Sequence, residues 1–406
     1  MTTGNSIALG ARETSQWAIT LVAAAALALG AAYVLQETTW RLASLWLIGG
    51  GLGFALYHAS FGFTGAYRVL FTQGRSASVR AQMLMLAVAV AIFFPLIDAG
   101  SLFGNPVRGF VFPAGVEVAI GAFLFGIGMQ LGGGCASGTL YTAGGGNTRM
   151  LVTLVFFIVG MTIGAYDIER WEDLPVLPPI SLPETLGLWP ALIANLGVFA
   201  LVAWLVARRE RRLFGNVEPI FRRSGASFLT GPWAFAWAAL ALALLNVATL
   251  VIAGRPWGIT QAFATWGSMA AESSGLADPV FWPYWDEPTR VDLLHRPLIL
   301  DVTTLMNVGL ILGALLAAGL AGRFAPVWRI GIGPLLAAII GGLILGYGAR
   351  MALGCNISAF FSGVASGSLH GWLWIVAALP GNYIGARLRP LFGLTVERRD
   401  MGDLAK

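Results

Sequence analysis

The chain reads as an all-α polytopic membrane protein, with about ten transmembrane helices in two inverted repeats and short re-entrant or half-helix segments between them. Three observations predict this. Of 406 residues, 57% are hydrophobic and only 11% charged, with a mean hydropathy of +0.75. A water-soluble domain carries about 25% charged residues, so this chain lacks the polar surface to coat a globule. Many apolar stretches reach the roughly 20 residues that cross a bilayer as a helix. Finally, one pattern occurs twice: GIGMQLGGGC, ending at Cys135, and GYGARMALGC, ending at Cys355.

In chain order, the first apolar stretch is 16–36, too long for a signal-peptide core and without a convincing cleavage site, so it is read as an uncleaved span. Further spans are expected near 40–60, 78–98, 115–133, 148–166, 188–207, 231–253, 298–320, 329–350 and 371–388. Loop charge orients them, because cytoplasmic loops collect Lys and Arg. The segment 208–223 has six Arg against two Glu, whereas 167–187 and 272–292 are mostly acidic. Placing the basic loop in the cytoplasm puts both termini there, including the tail 390–406.

The two cysteine-bearing patterns match at Gly126, Gly128, Gly134 and Cys135 against Gly346, Gly348, Gly354 and Cys355, all at an offset of 220. A second pair matches at an offset of 196: GFTGAYRVLF at 62–71 and GITQAFATWG at 258–267, with Gly62 and Thr64 against Gly258 and Thr260. Each is too short to cross a membrane, which suggests half-helices buried in protein or lining a cavity. The offset grows because the second half carries an extra Trp/Pro-rich loop around 278–297. The halves are therefore 40–166 and 231–389, joined by a linking span and basic loop over 167–230. An odd number of crossings separates them, so they are expected to be inverted, an arrangement transporters use around substrate sites.

The two cysteines are the only ones in the chain. A lone membrane cysteine is ordinarily a small apolar residue, but two at matched positions, each after a glycine (Gly134 and Gly354), point to function. Each precedes an expected short-helix start whose free N–H groups favour an anion. Ser137 and Asn356 sit at those starts, where helix capping explains them equally well. Arg350 stands near an apolar span end and is a candidate to hold an anion, with snorkelling to the interface as the plain alternative. Its repeat partner is Gln130. With Gly62, Thr64 and Thr260 from the short segments, these complete the candidate site.

Several classes are excluded. The only lysine is Lys406, so no glycine run here is a phosphate loop with its lysine, and a lysine Schiff base is implausible. His58, His295 and His370 form no metal-ligand spacing. No cofactor and no nucleic-acid partner is implied, since the basic residues lie between spans.

The stretches GGGCASGTL, RPWGITQAF, LMNVGLILGALLAA and GYGARMALGCNISAFFSGVASGSLHGWLW resemble the YeeE/YedE family of bacterial inner-membrane sulfur-compound transporters, over most of residues 45–390. The resemblance implies an hourglass-shaped protein in the inner membrane that takes up thiosulfate or a related sulfur anion. It also implies that Cys135 and Cys355 belong to a chain of thiols handing the anion onward through S–H···S contacts, beside a small cytoplasmic sulfur-carrier protein. Family members often carry a third cysteine where this chain has Gly62, which leaves a two-thiol relay, a wider entry on one side, or a different sulfur or selenium substrate as readings. The other function classes are a membrane sulfurtransferase that forms a cysteine persulfide and a non-transporting subunit that docks the carrier.

Overall fold

The computed structural model describes residues 16–171, 173–222 and 227–396; most of the expected tail lies outside the described residues. The fold is helical: α1 (Trp17–Glu37), α2 (Trp40–Ala59), α3 (Phe63–Thr72), α4 (Ala77–Asp98), α5 (Val116–Gly132), α6 (Ala136–Gly144), α7 (Thr148–Tyr166), α8 (Leu182–Leu186), α9 (Leu188–Phe214), α10 (Phe235–Ala253), α11 (Thr260–Ser273), α12 (Pro288–His295), α13 (Val302–Leu320), α14 (Ile332–Met351), α15 (Ser362–Ala365) and α16 (Leu369–Leu388). A π-helical turn, Asn356–Phe361, leads into α15. The only strands among the described residues are two-residue pairs, Ser101–Leu102 with Asn105–Pro106 and Ala114–Gly115 with Val176–Leu177.

Nine helical stretches among the described residues are long and apolar enough to cross a membrane, against the ten expected. The tenth expected span is α16, a 20-residue helix of sufficient length. Its His370 and Asn382, both fully buried against protein, lower its hydropathy. Polar residues that face neighbouring helices are tolerated at membrane depth because their partners there are protein groups rather than lipid. The expected short segments are short helices: α3 and α11 in one pair, α6 and the π turn with α15 in the other.

The basic segment 208–223 is not all loop. α9 continues to Phe214, so Arg208, Arg209, Arg211 and Arg212 lie on its last turns, where positive charge suits the helix C-terminus. Glu210 on the same turn is fully buried. It accepts hydrogen bonds from the Ser76 amide and hydroxyl and pairs with Arg75 and Arg80, which ties α9 to the link between α3 and α4. Asp301 is 8% exposed and caps α13, accepting from the Thr303 and Thr304 amides.

The glycines of the repeated pattern lie where backbones touch. A side chain at Gly126 would meet the Asn382 amide of α16 at 2.8 Å, and one at Gly346 would meet Gly160 of α7 at 2.7 Å. Gly128 and Gly348 face across the α5–α14 contact, where a Cβ would stand 2.7 Å from Leu345 N and Gly121 O respectively. Small residues of this kind let membrane helices approach closely. α7 packs on α14 and α16 on α5; α2 packs on α13 and α10 on α4; α11 packs on α7 and α3 on α16.

Candidate functional site

α5 ends at Gly132, and Gly133 takes the left-handed conformation (φ 96°) that turns the chain toward Cys135. At the matched place after α14 the left-handed residue is Leu353 (φ 57°), followed by Gly354 (φ 145°). A side chain at Gly134 would press on the Thr139 amide at 2.9 Å and one at Gly354 on Ser358 at 2.8 Å, so both glycines permit a tight turn onto the following short helix. That turn delivers each cysteine to a helix N-terminus.

The capping expected of Ser137 and Asn356 falls instead to the sulfurs. Cys135 Sγ accepts from the Gly138 amide at 3.4 Å, and Cys355 Sγ accepts from the Ile357 amide at 3.4 Å. Each sulfur also contacts a hydroxyl, Ser137 Oγ at 3.3 Å and Ser358 Oγ at 3.4 Å. The serines follow the thiols rather than the backbone because the N-cap position, whose side chain reaches the free amides, is the cysteine itself. Both thiols are buried in the protein and free, on short helical segments that contact each other.

The remaining sequence candidates divide between the two ends of this thiol pair. Tyr141 lies on α6, the short helix that Cys135 caps. Gly62 precedes α3, and a side chain there would stand 3.3 Å from the Tyr141 hydroxyl. Gln130 donates from Nε2 to the Thr64 carbonyl at 3.0 Å and to Asn382 Oδ1 at 2.9 Å, leaving its own Oε1 buried without a donor, as Thr64 Oγ1 is without a partner. Asn356 is fully buried. The Tyr67 hydroxyl interacts with its side chain, yet neither amide atom of Asn356 completes a hydrogen bond of good geometry. Such unsatisfied groups are costly unless a ligand or water meets them.

On the Cys355 side, Thr260 Oγ1 lies 3.4 Å from Ser358 Oγ. Both border a cavity of about 200 Å³ that is also lined by Arg350, Arg255, Gln261 and Phe110. Arg350 is 7% exposed, so it is buried among protein groups and does not snorkel. Its guanidinium lies over the Tyr284 ring at 4.1 Å. No carboxylate pairs with it among the described residues, and its Nε has no acceptor. Arg255, Gln261 and Tyr284 escaped the sequence reading. Arg255 and Gln261 stood inside the quoted RPWGITQAF, but nothing local marked them as facing Arg350, and Tyr284 sits on the extra loop, read only as an insertion. Among the described residues, no group of three or more His, Cys, Asp or Glu is arranged to hold a metal ion.

Comparison with known proteins agrees with this architecture. A family model described as sulphur transport matches residues 58–384, which include both short-helix pairs and both thiols. The chain belongs to the sulphur transport (YeeE/YedE) family. Among relatives, it is 34% identical over 170 residues to the probable transporter YedE of Escherichia coli K12, a match covering 41% of this chain and only 40% of that protein. It is 29% identical over 355 residues to the thiosulfate transporter TsuA of Spirochaeta thermophila, covering 83% of this chain and 96% of that one. With the thiosulfate transporter TsuA of Escherichia coli K12 it shares 23% identity, over 82% of this chain and 91% of that one. The protein is thus a multi-pass membrane member of the sulphur transport family.

Proposed function

We propose that the chain takes up thiosulfate or a related sulfur-containing anion through a passage lined by Cys135 and Cys355. The observation that carries this reading is the pair of buried, free thiols, each at the start of a short helix, the two short helices being in contact. A two-ended anion with a soft terminal sulfur finds a weak S–H donor at each station, and weak serial contacts let it leave as well as bind. The groups bonded to both sulfurs are hydroxyls and peptide amides. These suit transient contact better than nucleophilic attack, which needs a base in reach. The test is uptake of radiolabelled thiosulfate by a bacterial strain without its own importers. Expression should make cells accumulate the label and grow on thiosulfate as sole sulfur source. Absence of uptake with the protein present in the membrane overturns the reading.

The halves 40–166 and 231–389 are read as inverted repeats. Exchanging α2, α5, α7 and α3 for α10, α14, α16 and α11, with α4 for α13, turns the α7–α14, α2–α13 and α7–α11 contacts between the halves into the α16–α5, α10–α4 and α16–α3 contacts, which supports this. In the bacterial inner membrane, with basic ends inside, Cys135 then faces the cytoplasm and Cys355 the outside. The family resemblance supplies a recipient on the inner side, a small sulfur-carrier protein. A fluorescent reporter fused after Lys406, active only in the cytoplasm, should be bright; a periplasmic signal there sinks both the parity and the assignment of sides.

A further inference from the structure

We propose that the starts of α7 and α14 form a binding site for one anionic glycerophospholipid. Its phosphate is held among Arg149, Arg323 and Arg329, and its chains lie along the lipid-facing side of the two helices. The inference takes only its side of the membrane, the cytoplasmic one, from the transport reading. A cavity of about 510 Å³ opens between the turn from α6 to α7 and the link from α13 to α14. Three arginines line it, and none of the described residues around it is acidic. Arg149 donates to the carbonyls of Leu131 and Pro334, which fixes its guanidinium without neutralising it. Arg323 and Arg329 are exposed.

Two long helices begin at this cavity. α7 starts at Thr148 and α14 at Ile332, and neither has an acidic residue in its first turn. Gly331, the N-cap of α14, brings no side-chain acceptor to the amides that follow it. Helix starts carry partial positive charge, so they agree in sign with the arginines. The cavity stands apart from the thiols. Cys135 is at the opposite end of α6, a nine-residue helix about 13 Å long.

The surface beside the cavity points to a lipid rather than to a free anion. Val327, Trp328 and Ile332 are exposed at its rim, and a tryptophan suits the boundary between headgroups and chains. Two apolar rows run on from there: Leu151, Val155 and Val159 on α7, and Ile332, Leu336 and Ile340 on α14, all exposed. A spacing of four keeps each row on one helix face. α7 and α14 pack against each other, and farther along them lies a wholly apolar cavity of about 260 Å³ between Gly160, Ile163, Leu343, Ile344 and Tyr347. Over 148–160 the helix rises about 18 Å. One leaflet of a hydrocarbon core is about 15 Å deep, so a chain anchored at the arginines ends near this second cavity. Charge and apolar groove are thus set apart by the length of a phospholipid. Basic pockets between membrane helices on the cytoplasmic side suit anionic headgroups for the same electrostatic reason.

The probe is phosphatidylglycerol, titrated into the delipidated full-length protein in detergent micelles, with bound lipid counted by native mass spectrometry. One saturable lipid is expected, held about fivefold or more tighter than phosphatidylcholine with the same chains. Arg329→Gln should weaken it about fivefold, the scale of one basic group at an anionic headgroup. Arg323→Gln combined with Arg329→Gln should weaken it more than about tenfold, since separate charges act nearly additively. Both positions are exposed, so the variants should stay monodisperse. Arg212→Gln, in the last turn of α9, should bind the lipid as the unaltered protein does. Equal retention of phosphatidylcholine, or unchanged affinity in the folded double variant, overturns the proposal. So does an equal loss in Arg212→Gln, which would mark diffuse attraction to a basic surface. Displacement of the lipid by inorganic phosphate at comparable concentration would assign the arginines to a free anion and also overturns it. Thiosulfate uptake reads out separately: its failure leaves the lipid site standing, and failure of lipid binding leaves the transport reading standing.

Discussion

Replacing either thiol by a hydroxyl is expected to cut thiosulfate uptake about tenfold or more, the equivalent of ~1.4 kcal/mol at each station. Serine is nearly the shape of cysteine and a better ordinary hydrogen-bond donor, so a site wanting only a polar contact accepts it. The geometry argues the other way here. Each sulfur already accepts a long bond from a helix-start amide, 3.4 Å from Gly138 N and 3.4 Å from Ile357 N. An oxygen at that position is a strong N-cap acceptor and forms the shorter bond such caps prefer. The Ser137 and Ser358 hydroxyls stand ready as further partners. The new hydroxyl is thus drawn into the cap and withdrawn from the passage. Cys135→Ser and Cys355→Ser should therefore accumulate in the membrane at normal levels while uptake falls, and Cys→Ala should be as impaired or worse. If both serine variants transport at the unaltered rate, the thiols are packing residues and substrate recognition lies elsewhere.

A second large effect concerns folding. Gly346→Leu is expected to remove most of the folded protein from the membrane, measured as the monodisperse peak of a fluorescent fusion in gel filtration. A side chain at Gly346 meets the Phe157 carbonyl, the Met161 amide and Gly160 of α7, all backbone atoms that cannot rotate aside. Overpacking costs about 1–3 kcal/mol where side chains yield, and more where backbones must part. The α7–α14 contact would have to open, and with it the position of the turn that presents Cys355. Gly126→Leu is the matched test at the α5–α16 contact, where the Ala378 carbonyl and Asn382 amide stand in the way. Gly197→Ala, with nothing within 4 Å of the added carbon, is the control and should leave the peak intact. A normal peak for Gly346→Leu would show that the repeated glycines are not the close-packing points of this fold.

The class of the protein, the positions of its long helices, the short helices between them and the two thiols at helix breaks were all legible in the sequence. Apolar length, glycine breaks and repeated spacing are properties of contiguous residues, and they act on the backbone locally. Even the departures were local in origin: α16 is less apolar because His370 and Asn382 face protein, and α9 runs on through Arg208–Arg212 because nothing breaks the helix before Gly215. The site was legible only as a collection of residues. That the sulfurs cap their helices, that Gln130 turns its amide to Thr64 and Asn382, and that Arg350 lies over Tyr284 were decided by the tertiary structure. Arg255 and Gln261 looked like ordinary loop and short-helix residues until folding brought them to the Arg350 cavity. The reason is physical: whether a polar group is satisfied depends on a partner, and in this protein those partners come from segments far apart in the chain.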